Sequence, residues 1–439
     1  MAGKAKTVGI FTLGCKVNQY ESEAIGELLE ARGYRVCPAD GPCDVYIINT
    51  CTVTAESDRK ARQIIRRAIS KNPDALVLVT GCLAQTAPES IARIEGVDFI
   101  GGNADKCAIV DAVDDLVSSG KKNRAPTLRI APLEGAPFEC MSIKKFDRTR
   151  AYIKIEDGCE SHCSYCIIPS ARGSIRSKAP DDVLREVREL TENGCREVVL
   201  TGIETASYGR DLDGYTLADL LEAVDAIPGI GRVRLGSLDP TLMKQDFVDR
   251  IARLRSLAPH FHLSMQSGSD NILRLMKRKY NTEMALANID RLRRAMPRVM
   301  LTTDMIVGFP GETEEDFRGT LAFAERAKFL MIHVFPFSGR RGTPAATMSG
   351  QIPMDVRRAR AAILSELEAS IRKTVLENEI RQAPIADVLF EEHKNGYALG
   401  HTANFVPVRV KSDTDLRATV RAVRLLGTDG DTVDAEIQK

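Results

Sequence analysis

A chain of 439 residues is longer than one ordinary domain, and its 44% hydrophobic and 28% charged residues exclude a disordered protein. The formal net charge of +1 indicates no partner by itself, since nucleic-acid binding needs only a local basic face. No apolar run approaches the roughly 20 residues of a membrane span, and none resembles a signal peptide, so we expect a cytoplasmic protein without a membrane partner. In that reducing compartment, several of the eleven cysteines are expected to serve metal or redox chemistry rather than disulfides.

The first domain, residues 6–118, alternates short apolar runs with helical patterns, which predicts an open α/β domain with a parallel sheet. Predicted strands cover Thr7–Leu13, Asp44–Ile48 and Ala75–Val79, and a predicted helix covers Glu56–Ser70. The polar face of that helix is basic, which fits either a solvated surface or a stripe that contacts phosphates. This stripe consists of Arg59, Lys60, Arg62, Arg66 and Arg67.

Three cysteines, Cys15, Cys51 and Cys82, each follow one of these strands. Loops at the carboxyl ends of parallel strands line one crevice, so we expect the three thiols to converge in space. Three converging thiolates predict an iron-sulfur cluster, whereas each cysteine alone would be interpreted as a small packing residue. Five other cysteines show no such pattern and are interpreted as packing or surface residues: Cys37, Cys43, Cys107, Cys140 and Cys195.

A second group of cysteines lies beyond residues 119–148, which mix Gly, Pro and Lys without periodicity and are interpreted as an ordered linker. The stretch GCESHCSYCIIPSARG places Cys159, Cys163 and Cys166 in a C-x3-C-x2-C spacing on one loop. A cubane cluster is normally held by four thiolates, so three leave one iron open for another ligand and favour a catalytic role. A closed zinc site completed by His162 and His260 is the alternative.

The central domain, residues 149–382, repeats a strand-then-helix pattern six times, too few for a closed eightfold barrel, and predicts a partial (β/α)6 barrel. Its active site is expected at the carboxyl ends of the strands, where Gly202, Glu204, Ser237, Gln266 and Gly308 are candidate ligand-contacting residues. A trailing helix is predicted over Met354–Ile380 with Ile363, Leu367 and Ile371 on one face. The loop before it contains Arg340 and Arg341, which are interpreted either as contacts to RNA phosphate or as solvated surface residues. The predicted strands are Tyr152–Ile155, Glu197–Leu200, Val233–Leu235, Phe261–Met265, Met300–Ile306 and Met331–Val334.

The last domain, residues 383–439, contains short strand candidates separated by turns such as HKNG and GTDGD, which predicts a small β-barrel. The strand candidates are IADVLFEE, ANFVPVRV, ATVRAVRLL and TVDAEI. Tyr397 and Phe405 are candidates for stacking on unpaired RNA bases, and Arg409 and Lys411 for contacting phosphates. A capping domain without a ligand is the alternative.

The loop DGCESHCSYCIIPSARG resembles the signature of the radical S-adenosylmethionine (SAM) enzymes. The segments TLGCKVNQYESE, INTCTV and GCLAQ resemble the amino-terminal motifs of one branch, the methylthiotransferases, and GHTANFVPVRV resembles their RNA-binding TRAM barrel. The resemblance implies two 4Fe-4S clusters, one on Cys159, Cys163 and Cys166 and one on Cys15, Cys51 and Cys82. Leu83 and His162 depart from the residues common in the family, but neither removes a ligand.

For the first cluster, the resemblance implies that SAM binds the open iron and is cleaved reductively to a radical that abstracts hydrogen. Tyr165 would lie beside the cofactor, TGIE with Gly202 and Glu204 would receive the SAM amino group, and Ser237, Gln266 and Gly308 would complete the SAM site. The second cluster would supply or carry sulfur, and a second SAM would donate the methyl group.

The substrate is also implied only by resemblance. KVNQYES resembles the MtaB type, which methylthiolates threonylcarbamoyladenosine beside the tRNA anticodon. The expected partners are a tRNA anticodon stem-loop, an unidentified electron donor and a sulfur source. Alternatives are a sister type acting on isopentenyladenosine in tRNA or on a ribosomal protein aspartate and, in another class, a non-catalytic RNA-binding metalloprotein.

Overall fold

The computed structural model describes residues 5–120, 122, 125–139, 141–146 and 149–438. Cys140, interpreted above as a packing or surface residue, lies outside them. No helix in the described ranges is long and apolar enough to cross a membrane.

The amino-terminal part is one six-stranded parallel sheet with the strand order β2-β1-β3-β4-β5-β6 and helices on its faces. The central strands β3 and β4 are buried at every residue, because helices cover both faces of the sheet. The last strand, β6, lies within the predicted linker and was not foreseen. The strands are β1 (Thr7–Thr12), β2 (Arg35–Cys37), β3 (Val45–Thr50), β4 (Leu76–Gly81), β5 (Phe99–Gly101) and β6 (Thr127–Arg129), and the helices are α1 (Lys16–Ala31), α2 (Ala55–Lys71), α3 (Cys82–Thr86), α4 (Pro88–Ala92) and α5 (Ala108–Ser119).

The central part is an open arc of parallel strands in two sheets, β11-β10-β7 and β12-β13-β14-β15. Only Gly236 separates β11 from β12, so the two sheets continue one another and form the partial barrel that the sequence predicts. A small antiparallel pair, β8 with β9, holds the base of the loop that follows β7. The strands are β7 (Ala151–Lys154), β8 (Glu156–Asp157), β9 (Arg176–Ser177), β10 (Glu197–Thr201), β11 (Arg232–Leu235), β12 (Ser237–Leu238), β13 (His260–Gln266), β14 (Met300–Val307) and β15 (Met331–Pro336).

Helices cover the outer face of this arc. The trailing helix α13 buries Leu364 and Leu376, whereas Ile363 is 47% exposed, so the prediction that Ile363 lies on the packed face is wrong by one residue. Leu367 and Ile371 do pack against the core. The helices are α6 (Ile168–Arg172), α7 (Pro180–Glu192), α8 (Leu217–Asp225), α9 (Gln245–Ile251), α10 (Asp270–Leu275), α11 (Thr282–Ala295), α12 (Glu314–Ala327) and α13 (Met354–Gln382).

The carboxyl-terminal part is a closed barrel with the strand order β16-β17-β18-β20-β19. The predicted HKNG turn is present, with Asn395 and Gly396 both at positive φ, as a two-residue hairpin turn requires. The strand Tyr397–Thr402 was missed, since its small and polar residues give a weak strand pattern. The strands are β16 (Ile385–Lys394), β17 (Tyr397–Thr402), β18 (Pro407–Lys411), β19 (Val420–Thr428) and β20 (Val433–Ile437).

This barrel docks on the central arc through Phe405. The Phe405 ring stacks between His260 and His401, with centroid distances of 4.4 and 4.5 Å, and the Arg234 guanidinium lies 4.8 Å from it. Phe405 is therefore engaged in the interface, and its interpretation as a base-stacking residue is wrong.

Candidate active site

The loop that carries Cys159, Cys163 and Cys166 is fixed at both ends by backbone geometry. Gly158 has φ +92°, and a Cβ at this position would lie 1.9 Å from the Ser174 carbonyl oxygen, so only glycine fits. The Cys159 N–H donates to the Gly173 carbonyl at 3.0 Å, and the Cys166 N–H donates to the Cys163 carbonyl at 3.0 Å. These bonds close the segment that carries all three cysteines into a compact turn.

Glu204 lies directly against this loop. The Cys159 thiol donates to Glu204 Oε2 at 2.9 Å, and the Ser161 hydroxyl lies 3.2 Å from the same oxygen. Burial and the Glu204 charge raise the pKa of the Cys159 thiol. The structure thus places a carboxylate, a suitable acceptor for an ammonium group, beside the first cysteine.

Glu156 extends this acceptor surface and was missed by the sequence. Its Oε2 accepts from the Glu204 N–H at 2.7 Å, and a Cβ on Gly202 would lie 2.5 Å from that same oxygen. Its Oε1 is buried without a hydrogen-bond partner among the described residues. The Thr205 and Ser207 hydroxyls nearby in sequence are likewise buried and unpartnered there. Buried polar atoms of this kind are expected where a polar ligand supplies the missing bonds.

The other residues predicted to contact the cofactor differ in their exposure and in the contacts they already make within the protein. Gln266 ends β13 in the left-handed region (φ +65°), and Ser237 is exposed. Tyr165 packs edge-on against Phe309 at 6.5 Å. The Gly308 N–H donates to Glu312 at 2.7 Å, so this one of its backbone groups is already engaged within the protein.

Arg278 is a further residue that the sequence did not reveal. Its Nη1 donates to Cys163 Sγ at 3.3 Å, and its Nη2 donates to Asp239 at 2.8 Å. Asp239 thus positions the guanidinium that faces the thiol. His260, the candidate fourth zinc ligand, instead bonds Thr302 and stacks on Phe405.

The three amino-terminal cysteines occupy the positions expected of them. Cys15 precedes α1, Cys51 follows β3, and Cys82 begins α3. A Cβ on Gly14 would lie 2.8 Å from Cys51 Sγ, so the loops of Cys15 and Cys51 touch. Burial is the largest cause that raises the pKa of the Cys51 thiol to about 11, and the neighbouring Cys82 and Cys15 add to the shift. The three thiols therefore lie within electrostatic reach of one another.

Three of the other described cysteines do not belong to this triad. The Cys37 and Cys43 sulfurs are 3.0 Å apart, which the sequence did not indicate, and burial is the largest cause that raises the pKa of the Cys43 thiol to about 12. Cys195 is buried and bonds the Glu197 carbonyl, as a packing residue would.

Arg172 connects the two cysteine groups. It ends α6, directly after the first cysteine loop, and is fully buried. Its Nε donates to Cys82 Sγ at 3.3 Å, and its Nη2 donates to Asn18 Oδ1 at 2.6 Å. Asn18 in turn donates to the Leu13 and Thr50 carbonyls in the loops of the other two cysteines.

A buried ion network surrounds this arginine. Glu21 accepts from Arg172 at 2.5 Å and Lys154 at 2.9 Å, and it also pairs with Lys106; Lys154 reaches Asp157 at 2.9 Å. Burial alone would raise the pKa of the Glu21 carboxyl, but Arg172, Lys106 and Lys154 hold it well below its usual range. The three cations and two carboxylates thus lock the amino-terminal sheet onto the central arc. Arg340 adds a further contact, donating to Thr52 and Asp58, so its interpretation as an RNA contact is wrong.

Comparison with known proteins shows which families the chain resembles. The family model of the Radical SAM superfamily matches residues 153–324, and the model of Uncharacterized protein family UPF0004 matches residues 7–102. Threonylcarbamoyladenosine tRNA methylthiotransferase MtaB of Bacillus subtilis (strain 168) is 39% identical over 426 residues, covering 96% of this chain and 94% of that protein. The protein of the same name from Thermotoga maritima is 39% identical over 93% of this chain and 95% of its own length.

The chain belongs to the radical SAM methylthiotransferase family. A more distant relative, tRNA-2-methylthio-N(6)-dimethylallyladenosine synthase of Moorella thermoacetica, is 37% identical over 89% of this chain and 88% of its own length. Among solved structures, the radical SAM methyltransferase TsrM from Kitasatospora setae, with cobalamin and a 4Fe-4S cluster bound, has a TM-score of 0.56 at 17% identity and covers 78% of this chain and 77% of its own. That likeness supports the fold.

Membership in this family implies 4Fe-4S clusters and SAM as cofactors, and the donor sets of this methylthiotransferase fit them. One triad lies on a single loop and the other at the carboxyl-terminal side of neighbouring strands, and each receives one guanidinium hydrogen bond, from Arg278 or Arg172. Hydrogen bonds to cluster sulfurs are a recognised means of tuning a cluster. The carboxylate of Glu204 and the unpartnered oxygen of Glu156 provide acceptors beside Cys159 for the polar end of SAM.

Proposed function

We propose that this methylthiotransferase replaces the C2 hydrogen of N6-threonylcarbamoyladenosine, beside the anticodon of a tRNA, with a methylthio group. The observation that carries the proposal is the 39% identity over nearly the whole chain to two proteins named for this activity. The two cysteine triads, held together by one buried ion network, supply the arrangement that such a reaction needs. We place the reaction in the cytoplasm, with an electron donor and a sulfur source as further partners.

In this proposal Cys159, Cys163 and Cys166 hold one 4Fe-4S cluster, and Cys15, Cys51 and Cys82 hold the other. When bound, the clusters and SAM supply three things: the radical that abstracts the hydrogen, the sulfur atom that replaces it, and the methyl group. Glu204 accepts the SAM ammonium, with Gly202 and Glu156 shaping its surroundings, and Tyr165, Ser237, Gln266 and the Gly308 carbonyl complete the SAM site. Arg278 and Arg172 donate hydrogen bonds to the sulfur atoms of Cys163 and Cys82, one in each triad.

We propose that the tRNA is bound by the domain at 383–439, while the domains at 6–118 and 149–382, joined by the linker at 119–148, form the catalytic centre. Tyr397 is 39% exposed and Lys411 is exposed, so both are available to RNA. Arg409 is held by Asp434 and Asp429, which leaves it a weaker candidate for phosphate.

Isopentenyladenosine in tRNA is a second candidate substrate, favoured by the 37% identity to the Moorella thermoacetica enzyme. The test is nucleoside mass spectrometry of tRNA incubated anaerobically with cluster-reconstituted protein, SAM and reductant, with both modified nucleosides offered together. A methylthio mass gain on threonylcarbamoyladenosine alone is expected. A gain on isopentenyladenosine alone would replace the proposed substrate, and SAM cleavage without either product would move the search to a protein substrate.

A further inference from the structure

Three residues with metal-binding side chains lie together on neighbouring strands of the central arc, outside both cysteine triads. They are His262 on β13, Asp304 on β14 and His333 on β15. One potential ligand atom from each residue lies within 4.8 Å of the other two, and His262 Nε2 is 3.4 Å from Asp304 Oδ2. The rings of His262 and His333 stack with their centroids 6.0 Å apart.

The strands explain why these side chains converge and why they remain accessible. Asp304 is the direct neighbour of His333 in the parallel pairing of β14 with β15. Phe261 and Leu263, on either side of His262, are buried in the apolar core. Because alternate residues of a strand point to opposite faces, His262 faces the concave side of the arc. The Asp304 side chain is 33% exposed and His333 is exposed, so this side leaves the three residues open to solvent.

A buried hydroxyl group orients His262. Thr302 Oγ1 lies 3.0 Å from His262 Nδ1 and 3.1 Å from His260 Nε2. A hydrogen bond at Nδ1 leaves Nε2, the nitrogen that faces Asp304, as the ligand atom of His262. Metal-binding histidines are usually held in this way through their second ring nitrogen, because that bond fixes both the orientation of the ring and its tautomer.

The spacing and the donor types fit a divalent transition-metal ion. Zinc binds nitrogen and oxygen ligands at about 2.0–2.2 Å, so two ligands of a tetrahedral site lie about 3.4 Å apart, which is the separation of His262 Nε2 and Asp304 Oδ2. The ligand nitrogen of His333 needs to move by about 1.4 Å at most, and its exposed ring has room to turn. Two histidines and one carboxylate with further positions open are typical of catalytic zinc and non-haem iron sites, whereas Mg²⁺ and Ca²⁺ prefer oxygen ligands.

We propose that His262, Asp304 and His333 form a binding site for one divalent transition-metal ion, separate from the two iron-sulfur clusters. The two nitrogens and the carboxylate oxygen bind the ion, and Thr302 positions His262. The coordination positions left over face the concave side of the arc, where water or an oxygen atom of a bound molecule completes them. Gln266 ends the same strand about 13 Å further along, so the metal site lies deeper in the arc than the strand ends at which the SAM contacts are expected. This inference does not depend on the proposed tRNA substrate.

The test measures the zinc that the cluster-loaded protein retains, since its cluster cysteines are then occupied by iron. The protein is dialysed anaerobically against buffers of fixed free Zn²⁺, and zinc and iron per chain are measured by inductively coupled plasma mass spectrometry. About one zinc per chain is expected in addition to the cluster iron, and millimolar Mg²⁺ should not displace it. Asp304→Ala and His333→Ala each remove one ligand from a partly exposed position and should lower the zinc affinity by more than about 100-fold at unchanged iron content.

Two further variants separate binding from positioning. His393→Ala is the matched control, because His393 lies on β16 and bonds the Ser412 carbonyl, so zinc binding should stay at the wild-type level. Thr302→Val keeps all three ligands but removes the hydroxyl that orients His262, and it should weaken zinc binding about 10–100-fold with iron content unchanged. An unchanged zinc affinity in Thr302→Val would overturn the positioning role of this hydroxyl.

Three outcomes would overturn the metal site itself. Absence of zinc binding by the wild-type protein would leave only an ordinary ion pair between His262 and Asp304. Equal zinc binding by the wild-type protein, Asp304→Ala and His333→Ala would place the ion elsewhere. Zinc that increases only as iron is lost would place it on the cluster cysteines. Because no tRNA is present in this measurement, failure of the metal site leaves the proposed function untouched.

Discussion

At the scale of single residues, Arg172 is the side chain on which both cysteine groups depend. Arg172→Met would leave Glu21 and Asp157 buried with one cation fewer and would remove the hydrogen bond to Cys82. Breaking a buried ion pair from one side costs about 3–5 kcal/mol, so we expect the free energy of unfolding to fall by about that amount. Urea denaturation followed by circular dichroism measures it. Arg59→Met, which removes only an exposed ion pair with Glu56, is the control and should leave the transition in place. A transition midpoint for Arg172→Met equal to that of the control would contradict the prediction.

Removing one cysteine from either triad should affect SAM cleavage and methylthio product formation differently. Cys163→Ala is expected to abolish SAM cleavage, because the first triad would lose a ligand. Cys51→Ala is expected to keep some SAM cleavage but to form no methylthio product. Liquid chromatography of SAM products and nucleoside mass spectrometry measure the two activities on the same samples. Equal loss of both activities in a folded, iron-loaded Cys51→Ala protein would count against the division of roles.

Many residues of the candidate site could be predicted from the sequence. The residues that were missed were missed for one reason. The cysteines and Glu204 stand in short segments whose spacing or charge is informative by itself. Arg172, Glu156 and Arg278 act through partners far away in sequence, such as Cys82 for Arg172 and Cys163 for Arg278. No local period records such a pairing, so only the three-dimensional structure could reveal it.

At the scale of elements, the turn that begins the Cys159 loop depends on Gly158. Gly158→Ala would place a Cβ against the Ser174 carbonyl and force the loop to move. We expect this variant to lose the first cluster, so that iron per chain falls by about half and SAM cleavage is lost. Gly194→Ala is a matched control, because Gly194 has φ +89° but open space around it. It should cost only about 1 kcal/mol and keep full iron content. Full iron content in Gly158→Ala would show that the close contact is tolerated.

The elements themselves were predictable where burial makes the pattern strong. Six of the seven strands of the central arc, all but β12, and the helix after β3 were expected near their observed bounds, because buried parallel strands are continuous apolar runs. Several short strands were not expected, β6 and β17 among them. Their residues are exposed or alternate between small and polar types, and each is specified by pairing with a neighbouring strand rather than by its own sequence.

At the scale of the whole molecule, one aromatic ring joins the carboxyl-terminal barrel to the catalytic arc. Phe405 stacks between His260 of the arc and His401 of its own barrel, and Arg234 donates a hydrogen bond to the nearby Ala403 carbonyl. Phe405→Ala would remove a half-buried ring from this interface, at a cost of about 2 kcal/mol, below the range for a fully buried phenylalanine. We expect the barrel to undock while remaining folded, since Phe405 packs against the barrel's apolar core only as a partly buried residue, and the buried strand residues of that core, among them Phe390 and Val408, stay in place.

Limited proteolysis measures this undocking, because the chain between α13 and β16, residues 383–384, would become accessible. Faster cleavage there is expected in Phe405→Ala, together with weaker binding of a whole tRNA and unchanged SAM cleavage, since the cysteine triads lie elsewhere. Tyr397→Ala, which removes an exposed ring on the same barrel, should leave the proteolysis rate unchanged while it weakens RNA binding. The two variants thus distinguish docking of the barrel from its contact with RNA. Cleavage of Phe405→Ala at the wild-type rate would show that ion pairs such as Arg150–Glu391 hold the barrel without the ring.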